Sequence, residues 1–133
     1  MSDKFMSKEW AEKAMAAINA NPAVKAGLRD APNFTNKMMF DCGEGQDGVH
    51  CEFEAGTLTY MGPPQFADDD LWLIIRADKE TWKTAASGEV EGGKLLMAGK
   101  IKFAKGPITA AVQNAAAFNN FLSTWGQVDT DWS

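Results

Sequence analysis

One histidine, one tyrosine and two cysteines in 133 residues leave little room for the usual catalytic groupings. His50 has no second imidazole to join it at a metal. Cys42 and Cys51, nine positions apart, match no zinc-ligand spacing. Both thiols are read as buried core side chains, where free cysteine is usually found. No apolar run approaches the roughly 20 residues that a membrane-crossing helix needs, so no transmembrane segment is expected. The first ten residues mix Asp3, Lys4, Lys8 and Glu9 with apolar side chains. No secretory leader is expected there, and the expected location is cytoplasmic. Positive charge is scarce as well: 13 Lys and Arg against 18 Asp and Glu give a net charge of −5. That balance opposes a nucleic-acid partner and tight electrostatic docking on anionic lipid.

What the chain does have is apolar bulk. Eight Phe, five Trp and seven Met accompany an apolar content of 45% and a charged content of 23%. This is a globular composition at the size of a single domain. Residues 1–133 are read as one domain, with a core over about 7–125 and a polar tail over 126–133. Met is flexible and polarizable, which suits an adaptable apolar surface as well as a core.

Ser7 is placed to cap a helix from Lys8 to about Ala20, with Trp10, Ala14, Ala17 and Ile18 on one face. Asn21-Pro22 ends it and starts a second short turn carrying Val24 and Leu28. From Phe34 the period becomes two. Met38, Phe40 and Cys42 alternate with Lys37, Met39 and Asp41, and beyond a glycine-rich turn Val49, Cys51 and Phe53 alternate with His50, Glu52 and Glu54. This predicts a hairpin with one apolar face, Cys42 opposite Val49, and His50 on the solvated side.

A short strand follows from Thr57 to Met61 after the Ala55-Gly56 turn, and a nearly continuous apolar strand from Leu71 to Ala77. In the latter, Leu71, Leu73, Ile75 and Ala77 share one face and Trp72, Ile74 and Arg76 the other, so the second face is covered or meets a partner. Asp78 caps a helix that carries Trp82 and ends near Ser87-Gly88. Lys94–Ala98 reads as a helical turn, Gly99–Ala104 as a strand, and Ile108 to about Trp125 as one long helix. Helices kept apart from an antiparallel or mixed sheet make the fold α+β.

No phosphate-cradling loop is recognisable, since Gly43-Glu44-Gly45 and Gly92-Gly93 lack the strand-to-helix setting that such a loop needs. Asp68–Asp70 are consecutive, so on an extended chain their carboxylates diverge and no calcium-loop spacing exists. Lys94, Lys100, Lys102 and Lys105 read as a solvated basic group. No cofactor and no catalytic residue is expected from these patterns.

The stretch from Asp69 to Thr109 resembles the sterol carrier protein type 2 family. It runs from Asp69-Asp70 through the apolar strand Leu71–Ile75 and the helix region Asp78–Gly88 to Gly99-Lys100-Ile101-Lys102 and Gly106. Glu9-Trp10 followed by Asn19-Ala20-Asn21-Pro22 is similar to the opening of free-standing bacterial members. The resemblance implies a twisted, mainly antiparallel sheet of about five strands covered by helices, with an apolar tunnel between them for a fatty acid, acyl-CoA, sterol or isoprenoid. Asp131-Trp132-Ser133 is unlike the peroxisomal Ser-Lys-Leu address of eukaryotic members, so no organelle import is expected.

By alternation, the sheet face toward the helices would place Met38, Phe40, Phe53, Leu73, Ile75, Ile101 and Phe103 against the ligand. The helices would contribute Trp82, Leu96, Met97, Val112, Phe118, Phe121 and Leu122. Three classes of function remain open on this reading. One is a non-catalytic carrier of lipid, handing it to a lipid-metabolising enzyme. A second is an accessory subunit with a vestigial cavity that docks on an enzyme, or on a second copy as a homodimer, through Trp72 and Ile74. The third is an enzyme using Asp41, His50 or Asp68–Asp70.

Overall fold

A computed structural model of the chain describes residues 2–133. Its first helix, α1 (Lys8–Ala20), begins where the Ser7 hydroxyl accepts the Trp10 N–H and buries Trp10, Ala11, Ala14 and Ile18. Asn21 closes it and caps α2 (Pro22–Ala26) by accepting the Ala23 N–H, with Pro22 at the first helical position. Capping chemistry written in the sequence therefore sets both helix starts.

Strands β2 (Asn36–Asp41), β3 (Gly48–Glu54), β4 (Thr57–Gly62), β5 (Leu73–Arg76) and β6 (Lys102–Lys105) form one sheet in the order β4-β3-β2-β5-β6. The central β2–β5 pair is parallel and the other pairs are antiparallel. A parallel pair needs a long connection, and β3 and β4 lie within it. The helices α3 (Lys79–Ser87), α4 (Gly92–Met97), α5 (Thr109–Gln113) and α6 (Ala115–Thr124) complete the layer over one sheet face with α1 and α2. That face carries Met38, Phe40, Val49, Cys51, Phe53, Leu73 and Ile75, all buried. The fold is α+β, with the sheet mixed but mostly antiparallel.

The hairpin register differs from expectation. Phe40 pairs with Val49 and Met38 with Cys51, so Cys42 lies in the turn, its N–H donating to the Asp47 carbonyl. The Asp41 carboxylate accepts the Gly43 N–H, and the turn starts one residue early, at Cys42. Cys42 is only half-buried, Cys51 is fully buried, and both are free thiols. Burial pushes the Cys42 thiol up to about 11 and the Cys51 thiol further still. His50 is not on a solvated face: it is 2% exposed beneath the loop that follows β4.

The strand expected from Leu71 starts only at Leu73. Asp68–Asp70 form a short 3-10 turn, and Trp72 donates its N–H to the Lys37 carbonyl at 2.7 Å before the ladder begins. Alternation therefore does not reach Trp72, which turns toward Phe34 at 6.0 Å between ring centroids. Trp72 thus lines the cleft beside Leu73 and Ile75, whereas Ile74 alternates to the other side of β5, so the two do not share the face expected of them.

The long C-terminal helix breaks at Asn114 (φ −118°, ψ 37°) into α5 and α6. The tail packs onto the N-terminal segment: β7 (Thr130–Asp131) pairs in parallel with β1 (Asp3–Lys4), and the Trp10 indole N–H donates to the Thr130 hydroxyl at 2.9 Å. The residues expected to form a polar tail thus close the aromatic end of the core, where Phe5 packs 4.3 Å from Trp132 and 4.9 Å from Trp10. The edge-on Phe5–Trp10 pair adds about 0.5–1.5 kcal/mol beyond its buried area.

Candidate functional site

Between the covered sheet face and the helices lies a narrow apolar cleft with a free volume of about 60 Å³. Its floor is made of Phe40, Phe53, Ile75, Phe121 and Phe118, all buried. Phe40 and Phe121 stack at 5.1 Å with 17° between their planes. The half-buried side chains Leu28, Phe34, Trp72 and Phe103 ring the outer part, and Ala110 and Ala111 of α5 close one side. Small-molecule sites typically hold roughly 300–1,000 Å³, so the aromatic rings nearly fill this one. An open tunnel of the expected kind is not formed in this conformation.

Asn114 is the polar residue in the lining, and both polar atoms of its amide are hydrogen-bonded within the protein. The Oδ1 accepts the Arg29 N–H and the Nδ2 donates to the Ala110 carbonyl, both at 2.8 Å. The first of these bonds ties the segment after α2 to the helix break, and the rest of the cleft lining is apolar. What such a space can do is hold hydrocarbon; it contains no group that would bind or polarise a charged substrate.

A larger hollow of about 620 Å³ lies beside α3, where Arg76, Asp78, Glu80, Lys100 and Lys102 line it. Mixed charge and water access make it a poor site for hydrocarbon, since burying ions without full pairing is costly. The cleft, though smaller, has the chemistry of an apolar site.

Met38, Phe40, Phe53, Leu73, Ile75, Phe103, Phe118 and Phe121 of the sequence-derived set all line the cleft. Trp82, Leu96, Ile101 and Leu122 do not; they pack behind it. Trp82 donates its indole N–H to the Asp41 carbonyl at 3.0 Å, and Ile101 precedes β6, held by its N–H to the Leu95 carbonyl. Met97 and Val112 point outward, 80% and 59% exposed. Met97 ends the short α4, and Val112 sits before the Asn114 break, which shifts the helical phase so that Ala110 and Ala111 face inward instead.

Sequence reasoning missed Val24, Leu28, Phe34, Trp72, Ala110, Ala111, Asn114 and Ala117 in the lining. Val24 and Leu28, four apart on a turn capped by Asn21, carried a usable signal. Of the alanines, Ala111 shares an apolar stripe with Phe118, Leu122 and Trp125 at helical spacing, whereas Ala110 and Ala117 carried no such signal.

The polar groups that could have served chemistry are engaged elsewhere. Asp41, 1% exposed, accepts both the Nε and Nη2 hydrogens of Arg76 at 2.8 and 3.0 Å. The His50 Nδ1 accepts the N–H groups of Gln65 and Phe66 at 3.1 Å each, so its basic lone pair is used. Phe66 lies flat against the imidazole, 5.4 Å between centroids, and burial lowers the His50 pKa. Asp68–Asp70 are exposed and, among the described residues, no cluster of three or more metal-ligating side chains occurs. No helix among them is long and apolar enough to cross a membrane.

By sequence, no protein-family model and no curated protein matches the chain. By structure, it is similar to sterol carrier protein 2, whose crystal structure superposes with a TM-score of 0.78 at 20% identity over 94% of this chain and 99% of that one. A conserved hypothetical protein of Thermus thermophilus, described as possibly a sterol carrier protein, gives a TM-score of 0.73 at 18% identity, covering 100% and 96%. The ubiquinone synthesis protein UbiJ-SCP2 gives 0.53 at 13% identity, covering 84% and 90%. The chain thus has an SCP2-like α+β fold. At these identities the likeness is one of fold.

Proposed function

We propose that the protein binds a hydrophobic small molecule, such as a fatty acid, acyl-CoA, sterol or isoprenoid, in this cleft and carries or presents it without transforming it. The supporting observation is a cleft lined by apolar side chains whose one polar residue, Asn114, is internally satisfied, set in the sterol carrier protein 2 fold. Burying a hydrocarbon chain contributes about 0.8 kcal/mol per CH₂, so ten methylenes supply about 8 kcal/mol. That is comparable to the cost of immobilising a ligand, and no reactive group is needed. The side chains proposed to touch it are Met38, Phe40, Phe53, Leu73, Ile75, Phe103, Phe118 and Phe121. Trp82, Leu96, Ile101 and Leu122 support them from behind, and a cytoplasmic setting remains part of the proposal.

Native mass spectrometry of the purified chain, followed by displacement of a fluorescent fatty acid, tests this. Bound lipid, or displacement at micromolar concentrations, is expected. Phe118→Asp should abolish it, because a carboxylate on the cleft wall would have to be desolvated. Absence of both in the folded wild type refutes the carrier reading.

The small free volume favours one second reading, an accessory subunit whose cavity is vestigial and whose work is to dock on a lipid-metabolising enzyme. It predicts no lipid uptake at any concentration and co-purification with that enzyme from the native host.

A further inference from the structure

His50 is the chain's one histidine, and it lies on the sheet face away from the helices, beneath an irregular strap. The strap, residues 63–70, joins β4 to the segment that leads into β5. Groups that do not titrate near neutrality tie its two ends. The Tyr60 hydroxyl donates to the Pro63 carbonyl and the Lys105 Nζ to the Asp68 carbonyl, each at 2.6 Å. Between these ends, among the described residues, its hydrogen bonds to the rest of the molecule are the two that His50 Nδ1 accepts from Gln65 and Phe66. Phe66 is half-buried, 5.4 Å from the imidazole and 5.7 Å from the Tyr60 ring, and the other strap residues are exposed. One imidazole therefore holds the middle of the strap.

A neutral imidazole whose Nδ1 accepts hydrogen bonds carries its proton on Nε2, so a second proton must go to Nδ1. There it turns the acceptor into a donor that faces two N–H donors 3.1 Å away, and both bonds are lost together. From this geometry we infer that His50 is a proton-operated latch, whose protonation releases the middle of the strap and with it the Trp72 side of the cleft. Two connections carry the release onward. The strap runs through the Asp68–Asp70 turn into Leu71 and Trp72, and Trp72 lines the cleft. Lys37 touches both parts: its ammonium lies 5.1 Å from the Phe66 ring centre, and its carbonyl accepts the Trp72 N–H at 2.7 Å. The surrounding charges oppose one another. Asp68 of the strap favours the imidazolium, but burial is the larger effect and keeps the latch closed at neutral pH. On β3 itself Glu52 shares the face, opposite Lys37 of β2, while Asp41 of β2 is paired with Arg76 of β5. Tyr60 of β4 is engaged with Pro63, and Asp69 and Asp70 are exposed.

For its use this inference rests on the carrier reading; its test does not. With one histidine in the chain, the Cε1–H signal in proton NMR reports a single titration. Its midpoint should lie below the ordinary imidazole value of about 6.5. The amide signals of Gln65 and Phe66 and the indole signal of Trp72 should move with the same midpoint. Below about pH 6.5, hydrogen-exchange protection of the two amides should fall by up to about tenfold per pH unit. His50→Asn, whose side-chain oxygen accepts but does not titrate in this range, should hold all three signals constant. His50→Phe, which keeps a ring without the acceptor, should leave both amides unprotected at neutral pH; should it fail to fold, the wild-type titration still decides. A His50 midpoint at or above about 6.5, or amides that ignore it, overturns the latch. A Trp72 signal that stays fixed while the amides move overturns the link to the cleft. Uptake of N-phenyl-1-naphthylamine, an uncharged probe in this range, should be faster in wild type at about pH 5.5 than at about pH 7.5, either side of the free imidazole value. His50→Asn should take it up at one rate, and equal wild-type rates overturn the gating. No uptake at either pH, with the three signals still following His50, overturns the carrier reading alone.

Discussion

Phe121 is the position at which the closed cleft can be opened on purpose. Its ring stacks on Phe40 at 5.1 Å and lies 6.0 Å from Phe53 and 5.9 Å from Trp125. Phe→Ala at a buried site costs about 3–5 kcal/mol, of which roughly 2–3 kcal/mol is lost transfer energy of the side chain. The remaining 1–2 kcal/mol, at about 24 cal/mol per Å³ of residual cavity, corresponds to roughly 40–80 Å³ of new space. Added to the present free volume of about 60 Å³, this approximately doubles the cleft. Urea denaturation with and without a saturating medium-chain fatty acid reads both effects. The empty variant should lose about 3–5 kcal/mol with an unchanged m-value. Ligand at about 100 times its Kd restores about 2.7 kcal/mol to any binder. At one fixed ligand concentration the variant should gain more than wild type, because it need not displace the Phe121 ring to admit the chain. A loss below about 1 kcal/mol, or a smaller ligand-induced gain in the variant, refutes the reasoning.

Three other perturbations have worked-out signs. Arg76→Met should cost about 3–5 kcal/mol because it strands the buried Asp41 carboxylate, whereas Asp41→Asn should cost less, the Arg76 head being able to reach water; urea midpoints rank them. The folded-state pKa of His50 lies below its unfolded value near 6.5, so the unfolded chain binds the extra proton first. Stability contributed by His50 is therefore present above about pH 6.5 and lost as pH falls toward the folded pKa. Urea midpoints from pH 7.5 to 5.5 should fall more steeply (both pH values are about one unit from that unfolded pKa) in wild type than in His50→Asn, and equal slopes refute this. Gly106, at φ +89°, faces the Trp72 carbonyl and the Leu73 side chain where a Cβ would stand. Gly106→Ala should cost more than about 2 kcal/mol by thermal melting, through both strain and collision.

Helix starts and the alternating faces of β2 and β3 were legible because their causes are local: Ser7, Asn21-Pro22 and Asp78 are caps, and period two shows within a single strand. What failed depended on contacts between distant segments. The hairpin register turned on one side chain, Asp41, bonding the Gly43 N–H and pairing with Arg76 across the sheet. His50 was assigned to solvent by alternation alone, since nothing in the strand announces that Gln65 and Phe66 will fold over it. Asn114 broke a helix whose apolar stripe ran through it, because its amide bonds Arg29 from another element. The cleft residues were legible as apolar and inward-facing, but not as cleft rather than core. Phe40 meets the cleft on one side and Trp82 and Trp125 on the other, so one sequence signal covers both roles.

That continuity divides the molecule into two ends with different capacity to yield. At one end Phe5, Trp10, Trp82 and Trp125 interlock, and the β1–β7 pair and the bond from Trp10 to Thr130 close over them. Displacing any of these rings would forfeit burial on several sides at once. At the other end Leu28, Phe34, Trp72 and Phe103 are already half-exposed, and α5 is a single short helix held inward by two alanines and the bonds of Asn114. Moving it would give up little apolar area and two hydrogen bonds, each worth about 0.5–1.5 kcal/mol net. An acyl chain burying ten methylenes offsets that several times over. The entry route we propose therefore runs past α5, with the tryptophan cluster as the fixed wall against which the cleft opens.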